Sequence, residues 1–246
     1  MLFKRNKRKA LKAEIIEGRE ASEALIKDMW GLRLDFLKLT LSKEDDWRKF
    51  FSICRKENTL LIVFRDLKGG LQGYYTFSFN PVHYDGKKAL LIHSKYYYVR
   101  PEFRGHPTIP SSAWKLLPGI IWRFGFLQLY FVAFSFPTSY VSLSRTFGRV
   151  MTLQQGSTPG WELRVLEAFV LEQSGGDWDD SRKLIVNQNV PVGEDRPASD
   201  SVQELRRVYE GLNPNWAEGV SLPIMMRFDW QTIKSVLGTG VRRSKR

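Results

Sequence analysis

One cysteine, Cys54, and three histidines are all that 246 residues offer to redox or soft-metal chemistry. A lone thiol excludes an intramolecular disulfide, and no two histidines show His-x-x-x-His spacing, so no metal is expected. A single cysteine suits a reducing compartment, and the expected location is the cytoplasm. An unbroken apolar span of about 20 residues is also missing. The nearest approach, Leu116 to Pro137, is interrupted by Pro118, Gly119 and Arg123, and reads as a helix followed by a buried strand. Ala10 to Glu20 is charged, so no secretory signal is expected behind the basic N-terminus. The chain has no Gly-x-Ser-x-Gly elbow, no Walker-type phosphate loop and no internal repeat, which removes the usual support for hydrolase, nucleotide-hydrolysing and solenoid readings.

What the chain does have is apolar and aromatic content, 43% and 13%, enough for a packed core. Its length fits one large domain or two small ones. The net charge of +12 comes largely from the two ends. Lys4, Arg5, Lys7, Arg8, Lys9 and Lys12 stand at one, Arg242, Arg243, Lys245 and Arg246 at the other. We divide the chain into a basic tail over 1–11, a core over 12–150, an extension over 151–240 and a second basic tail over 241–246. The tails are read either as solvated ends or as non-specific contacts to an anionic membrane surface or to nucleic acid.

Lys12 to Ile16 is a strand candidate. A helix follows from Glu20, with Ala21, Leu25, Met29 and Leu32 on one face. Ser42 caps a second helix whose first turn carries Asp45 and Asp46, and whose apolar face carries Trp47, Phe50, Phe51 and Cys54. Thr59 to Arg65, Gly73 to Asn80 and Lys88 to Arg100 then form an antiparallel meander, with turns at Lys68-Gly-Gly and Asp85-Gly86. A helix from Ser111 leads into the apolar strand Leu127 to Phe136. This strand is expected to lie parallel to the third meander strand through a right-handed crossover. Pro137 opens another helix. In the extension, Trp161 to Gln173 and Ser201 to Leu212 read as helices, Lys183 to Val192 as a strand, Glu194 to Ser199 as a loop and Asn213 to Trp216 as a turn. The extension is expected to add strands to the open sheet edge and walls to a substrate pocket. The fold class is α/β with a mixed sheet.

The stretch around which these elements are arranged ends in Tyr98-Val99-Arg100-Pro101-Glu102-Phe103-Arg104-Gly105. Strand, tight turn and helix in this order present backbone N–H groups to an anion, and Arg104 adds a charged donor for phosphate. The segment resembles the strand and turn of the GNAT superfamily of N-acyltransferases, and the element order from Lys12 to Val150 is similar to that family's. The resemblance implies a GNAT-like fold that moves an acyl group from acetyl-CoA, a longer acyl-CoA or an acyl carrier protein to a small-molecule or peptide amine. It also implies that Arg104, Gly105, His106, Thr108 and Ile109 hold the pyrophosphate, while the backbone of Tyr97, Tyr98 and Val99 pairs with the pantetheine arm. Two glycines of the family's loop are absent here, and Pro107 has no N–H, so the cradle has fewer donors. The apolar Leu127 to Phe136 strand suits a longer acyl chain, as in synthases of N-acyl amino acids and acyl-homoserine lactones; the same residues suit a core.

Acyl transfer to an amine needs a base, donors for the oxyanion and an acid for the leaving thiolate. Under two-residue alternation His93 shares a strand face with Lys95 and Tyr97 and is the candidate base; the plain alternative is a packed core histidine. Tyr140, or Ser144 one turn later, matches the region where the family places its acid, and packing explains Tyr140 equally well. His83 reads as a loop residue. The run Tyr96-Tyr97-Tyr98, flanked by Lys95 and Arg100, invites comparison with a base-stacking platform. Alternation points successive tyrosines to opposite faces, so nucleic acid is not the expected ligand. The competing functional class is a non-catalytic, basic binding protein acting through its tails.

Overall fold

A computed structural model describes residues 10–125, 128–154, 160–192 and 199–228. Residues 1–9, 126–127, 155–159, 193–198 and 229–246 lie outside the described residues, and with them most of both basic tails and of the loop expected over Glu194 to Ser199. In chain order the elements are β1 (Leu11–Glu17), α1 (Glu23–Leu34), β2 (Leu37–Lys38), α2 (Lys43–Cys54), β3 (Thr59–Asp66), β4 (Leu71–Tyr84), β5 (Lys87–Val99), α3 (Thr108–Trp114), α4 (Leu117–Phe124), β6 (Gln128–Ser135), α5 (Pro137–Phe147), β7 (Met151–Thr152), α6 (Trp161–Ser174), β8 (Trp178–Asp179), β9 (Leu184–Ile185), β10 (Val190–Pro191), α7 (Asp200–Leu212) and β11 (Leu222–Arg227).

Seven strands form one sheet in the order β1-β3-β4-β5-β6-β11-β7. Every pair is antiparallel except β5 and β6, which run parallel from Ala89↔Gln128 to Ser94↔Ala133. The meander and the parallel crossover are therefore as expected, and β11 adds the extension to the sheet beside β6. Between β4 and β5, Asp85 (φ 49°) and Gly86 (φ 72°) both take positive φ, the requirement of a tight two-residue hairpin. One face of the sheet is covered by α1, α2 and α6, which pack on Leu61, Val63, Tyr74, Leu91 and Val132. The opposite face packs on residues of α3 and α4 through Phe77, Phe79, Leu90 and Ile92, and on α5 and α7 through Ala133 and Ile224.

Local signals explain most boundaries. Ser22 and Ser42 cap α1 and α2, their hydroxyls accepting from the N–H groups of Leu25 (3.2 Å) and Asp45 (3.1 Å). The expected helix from Ser111 is instead two short helices, α3 and α4, which part around Lys115 and Leu116. Pro118 sits in the first turn of α4, where its missing N–H costs nothing. The expected strand over Lys183 to Val192 is reduced to two separate two-residue ladders. Leu184–Ile185 pairs with Trp178–Asp179, and Val190–Pro191 pairs with Leu37–Lys38. Lys183 and Asn187 both take positive φ, which breaks the extended run. No described helix is long and apolar enough to cross a membrane.

Beneath α1 and α2 lies a buried ion pair. Arg33 Nη1 is 2.6 Å from Asp46 Oδ2, and both side chains are almost fully enclosed. Asp46 also accepts from Trp30 Nε1 (2.7 Å) and from Asn189 Nδ2 of the extension (2.8 Å), while the guanidinium lies over the rings of Phe50 and Tyr96. Removing one member leaves the other charge buried and uncompensated. We expect Asp46→Ala to lower stability by about 3 to 5 kcal/mol in urea unfolding; a loss below about 1 kcal/mol, the value of an exposed pair, would show that Arg33 finds another partner.

Candidate active site

The sheet changes character at one point on β5. Thr76 of β4 pairs with Tyr96 and Phe77 pairs with Ser94, so Lys95 is left over as a bulge. On the other side of β5, pairing with β6 stops at Ser94↔Ala133. From Lys95 to Val99 the strand pairs with β4, and among the described residues its second edge has no strand partner. Gly73 keeps β4 against this segment: a Cβ there would lie 2.7 Å from Tyr98 O.

The bulge resets the alternation of side chains. His93 faces the α1/α2/α6 side, against Phe134 and Phe169, with ring centroids at 4.5 and 5.2 Å. Lys95 stays on that side, its Nζ donating to Gln173 Oε1 of α6 at 3.0 Å. Tyr96 and Tyr98 follow it into the core beside Phe50 and Tyr74. Tyr97 turns to the opposite face and stacks on Tyr75 at 4.4 Å, 45% exposed. Tyr97 therefore does not share the face of His93 and Lys95. An extra residue in a strand inverts every side chain beyond it, and nothing in the local composition marks where it falls.

The two faces of the gap differ in chemistry. On the α3/α4/α5 face the rings of Tyr97, Tyr75, Phe77, Phe131, Phe147 and Phe228 follow one another at 4.4 to 6.3 Å across the point where β5 and β6 part. Ser144 and Tyr140, four residues apart on one side of α5, are both buried there. Tyr140 packs on Tyr209, and Ser144 Oγ has no hydrogen-bond partner. On the α1/α2/α6 face lie His93 and Lys95. His93 is 2% exposed with neither ring nitrogen partnered, and burial, then the charge of Lys95, hold it well below the usual histidine value. Burial, then Lys56 and Lys49, pull the Lys95 ammonium down to about 8. Lys95 was not singled out as a chemical candidate from the sequence; its proximity to His93 was legible, its environment was not.

The loop after β5 is more closed than the resemblance implies. The N–H groups of Arg104, His106 and Ile109 donate to the carbonyls of Pro101, Phe103 and His106, and that of Thr108 donates to His106 Nδ1. Gly105, at φ 80°, has an N–H with no partner among the described residues. Arg104 is exposed, its Nε donating to Val99 O at 3.1 Å and its guanidinium lying 5.7 Å from the Phe36 ring. Thr108 Oγ1 donates to Leu11 O, and the side chains of Val99 and Ile109 are core. The edge of β5 from Lys95 to Val99 thus leaves backbone groups without a strand partner among the described residues, and the donors the loop leaves open are the rest of the Arg104 guanidinium and the Gly105 N–H.

A meander joined to a parallel pair that separates half-way, with two helices between the first strands, fixes the type of architecture. It is GNAT-like. No protein-family model matches the chain, and no curated protein matches it by sequence. Among solved structures it is similar to a ribosomal-protein-alanine N-acetyltransferase from Brucella melitensis biovar Abortus 2308, with 16% identity, 62% of this chain and 95% of that one covered, and a TM-score of 0.39. It is also similar to an aminoglycoside 6'-N-acetyltransferase from Acinetobacter baumannii, at 11% identity, 61% and 100% coverage and a TM-score of 0.43. A third is an aminoglycoside N-acetyltransferase solved in complex with CoA, at 14% identity, 55% and 84% coverage and a TM-score of 0.38. Likenesses this distant carry no functional argument, which has to come from the site.

The His93 ring makes one prediction independent of function. Its folded value is depressed, so the unfolded chain takes up the proton first, at about pH 6.5. The stabilising effect of a neutral, buried His93 is present above that pH and is lost as pH falls below it. Urea midpoints should therefore decline between pH 7 and 5 in the wild type and decline less in His93→Phe; equal declines would mean that His93 protonates freely in the fold.

Proposed function

We propose that the protein is an N-acyltransferase, moving an acyl group from an acyl-CoA to an amine at the gap between β5 and β6. The observation that carries this reading is the loss of pairing after Ser94↔Ala133, with aromatic rings on one face of the opening and titratable nitrogen on the other. Acyl transfer needs this asymmetry: an apolar seat for the acyl chain and thioester, and a polar approach for the amine, which must lose a proton before it attacks.

The roles divide between the faces. Backbone groups of Tyr97 to Val99 on the free edge of β5 pair with the pantetheine arm, and Arg104 with Gly105 contacts the pyrophosphate; His106, Thr108 and Ile109 supply further N–H groups if the loop opens. On the aromatic face, Ser144 Oγ, with Tyr140 one turn before it, is the proton donor for the departing thiolate. A buried hydroxyl without a partner is costly unless something arrives to accept from it, which supports this assignment. On the other face, neutral His93 passes the proton of the incoming ammonium on to water, since burial and the charge of Lys95 disfavour a lasting imidazolium. The rings from Tyr75 to Phe228 suit an acyl chain longer than acetyl. The reading extends to acyl carrier protein as an alternative donor and to a small or peptide amine as acceptor.

Calorimetry with acetyl-CoA and with longer acyl-CoA tests the donor, and absence of heat with each of them, and with an acylated carrier protein, would remove the reading. Arg104→Ala should weaken acyl-CoA binding by about 10-fold to 150-fold, the effect of one hydrogen bond to a charged group. Its thermal midpoint should stay nearly unchanged because the residue is exposed. A destabilised variant with intact affinity would make Arg104 structural. Ser144→Ala should lower kcat by about 100-fold or more with little change in KM for the donor.

The competing reading is a basic protein that associates with anionic membrane surface or nucleic acid through its tails, nearly all of whose residues lie outside the described ones. Deleting residues 1–9 and 241–246, which spares β1, separates it from the enzyme reading, since only association through the tails is abolished by that change.

A further inference from the structure

On the α1/α2/α6 face of the gap, polar groups converge without an adequate partner. Lys95 donates to Gln173, and no carboxylate lies within ion-pair distance of it among the described residues. Two further cations bear on it: Lys49 from α2 and Lys56 from the turn that follows. Lys49 bridges only weakly, at 3.9 Å, to Asp177, whose other oxygen accepts from Asn187. Glu172 on the last turn of α6 is the remaining acidic influence on Lys95. The partial negative charge at the C-terminal end of α6 offsets part of this positive charge, yet neither it nor Glu172 gives an acceptor to His93. His93, two residues before Lys95 on β5, has both ring nitrogens buried and unpartnered among the described residues. Like charges gathered over an unsatisfied buried donor are unfavourable in the absence of a ligand, and an anion relieves both at once.

We propose that His93 and Lys95, two residues apart on β5, recognise an anionic head group, carboxylate or phosphate, on the amine that accepts the acyl group. The anion accepts from Lys95 Nζ and from one His93 ring N–H, with the charges of Lys49 and Lys56 adding attraction. The acceptor is thus an amino acid, an acidic amine or a phosphorylated amine and not a simple aliphatic base. The word acceptor rests on the acyl-transfer reading; the anion site itself does not.

The test uses the full chain carrying lysine labelled with carbon-13 at Cε. The lysine resonance with the lowest titration midpoint is followed against pH in chloride, acetate and inorganic phosphate at equal ionic strength, and is assigned with Lys95→Met. Bound anion favours the protonated amine, so the midpoint should rise by about one unit, a tenfold change in proton affinity, in whichever of acetate and phosphate matches the head group. Lys56→Met, at an exposed position, should reduce that rise, and keeps the test valid if Lys95→Met does not fold. A midpoint unmoved by both anions overturns the proposal while leaving acyl transfer untouched, because no acyl donor is present. Conversely, failure of every acyl-CoA to bind leaves the anion site standing. In turnover, β-alanine should exceed propylamine in kcat/KM by about tenfold or more if the matching anion is acetate, and phosphoethanolamine should do so if it is phosphate. Equal rates for the anionic and the simple amine would overturn the assignment to the acceptor.

Discussion

Two parallel strands that stop pairing after six residues impose the constraint on which the rest of this molecule depends. Had β5 and β6 continued together, the backbone groups of Lys95 to Val99 would have been used up and the two faces of the sheet would be sealed from each other. The bulge at Lys95 works in the same place. It takes a residue out of the ladder with β4, keeps the lysine on the side of His93 and turns Tyr97 to the aromatic side. Separation of the aromatic face from the face of His93 and Lys95 is therefore a property of the backbone first and of the side chains second.

Keeping that gap at a fixed width requires rigid surroundings, because an opening in a sheet has no hydrogen bonds of its own to define it. On one side β5 is held by β4, where Gly73 allows close approach and Tyr74, Tyr96 and Tyr98 pack under α1 and α2. On the other side β6 is held by β11, which pairs with it from Leu222↔Ser135 to Arg227↔Tyr130. Tyr209 of α7 ties the end of β6 further, donating to Ser135 O at 2.8 Å. The buried Arg33 and Asp46 extend the same rigidity to the extension through Asn189, so that α2 and the segment before α7 share one polar anchor. Such an anchor favours a single arrangement more than it favours stability, since an apolar replacement of similar volume would be about as stable.

The closed loop after β5 sets this protein apart from the pattern it resembles. Four of its N–H groups are bonded within the loop, and Pro107 contributes none. Any anion bound there must compete with bonds already made.

Order and type of elements were legible in the sequence where local physics decides them. Serine caps at Ser22 and Ser42, the Asp85-Gly86 turn, the apolar run of β6 and the proline that opens α5 act through their immediate neighbours, and their signals survive folding. The strand expected over Lys183 to Val192 failed because its partners, Trp178–Asp179 and Leu37–Lys38, take only two residues each, a limit set far away in the chain. The face of Tyr97 failed to follow alternation for a related reason: a bulge is fixed by registration between two strands and has no composition of its own. The sequence by itself determined most of the strands and helices and offered Arg104, His93, Tyr140 and Ser144 as candidates. Only the tertiary structure decided that α5 with Ser144 and the ring of His93 lie on opposite faces of the sheet, and that Tyr97 leaves the face shared by His93 and Lys95. Burial, like-charge crowding and strand register are relations between distant parts of the chain.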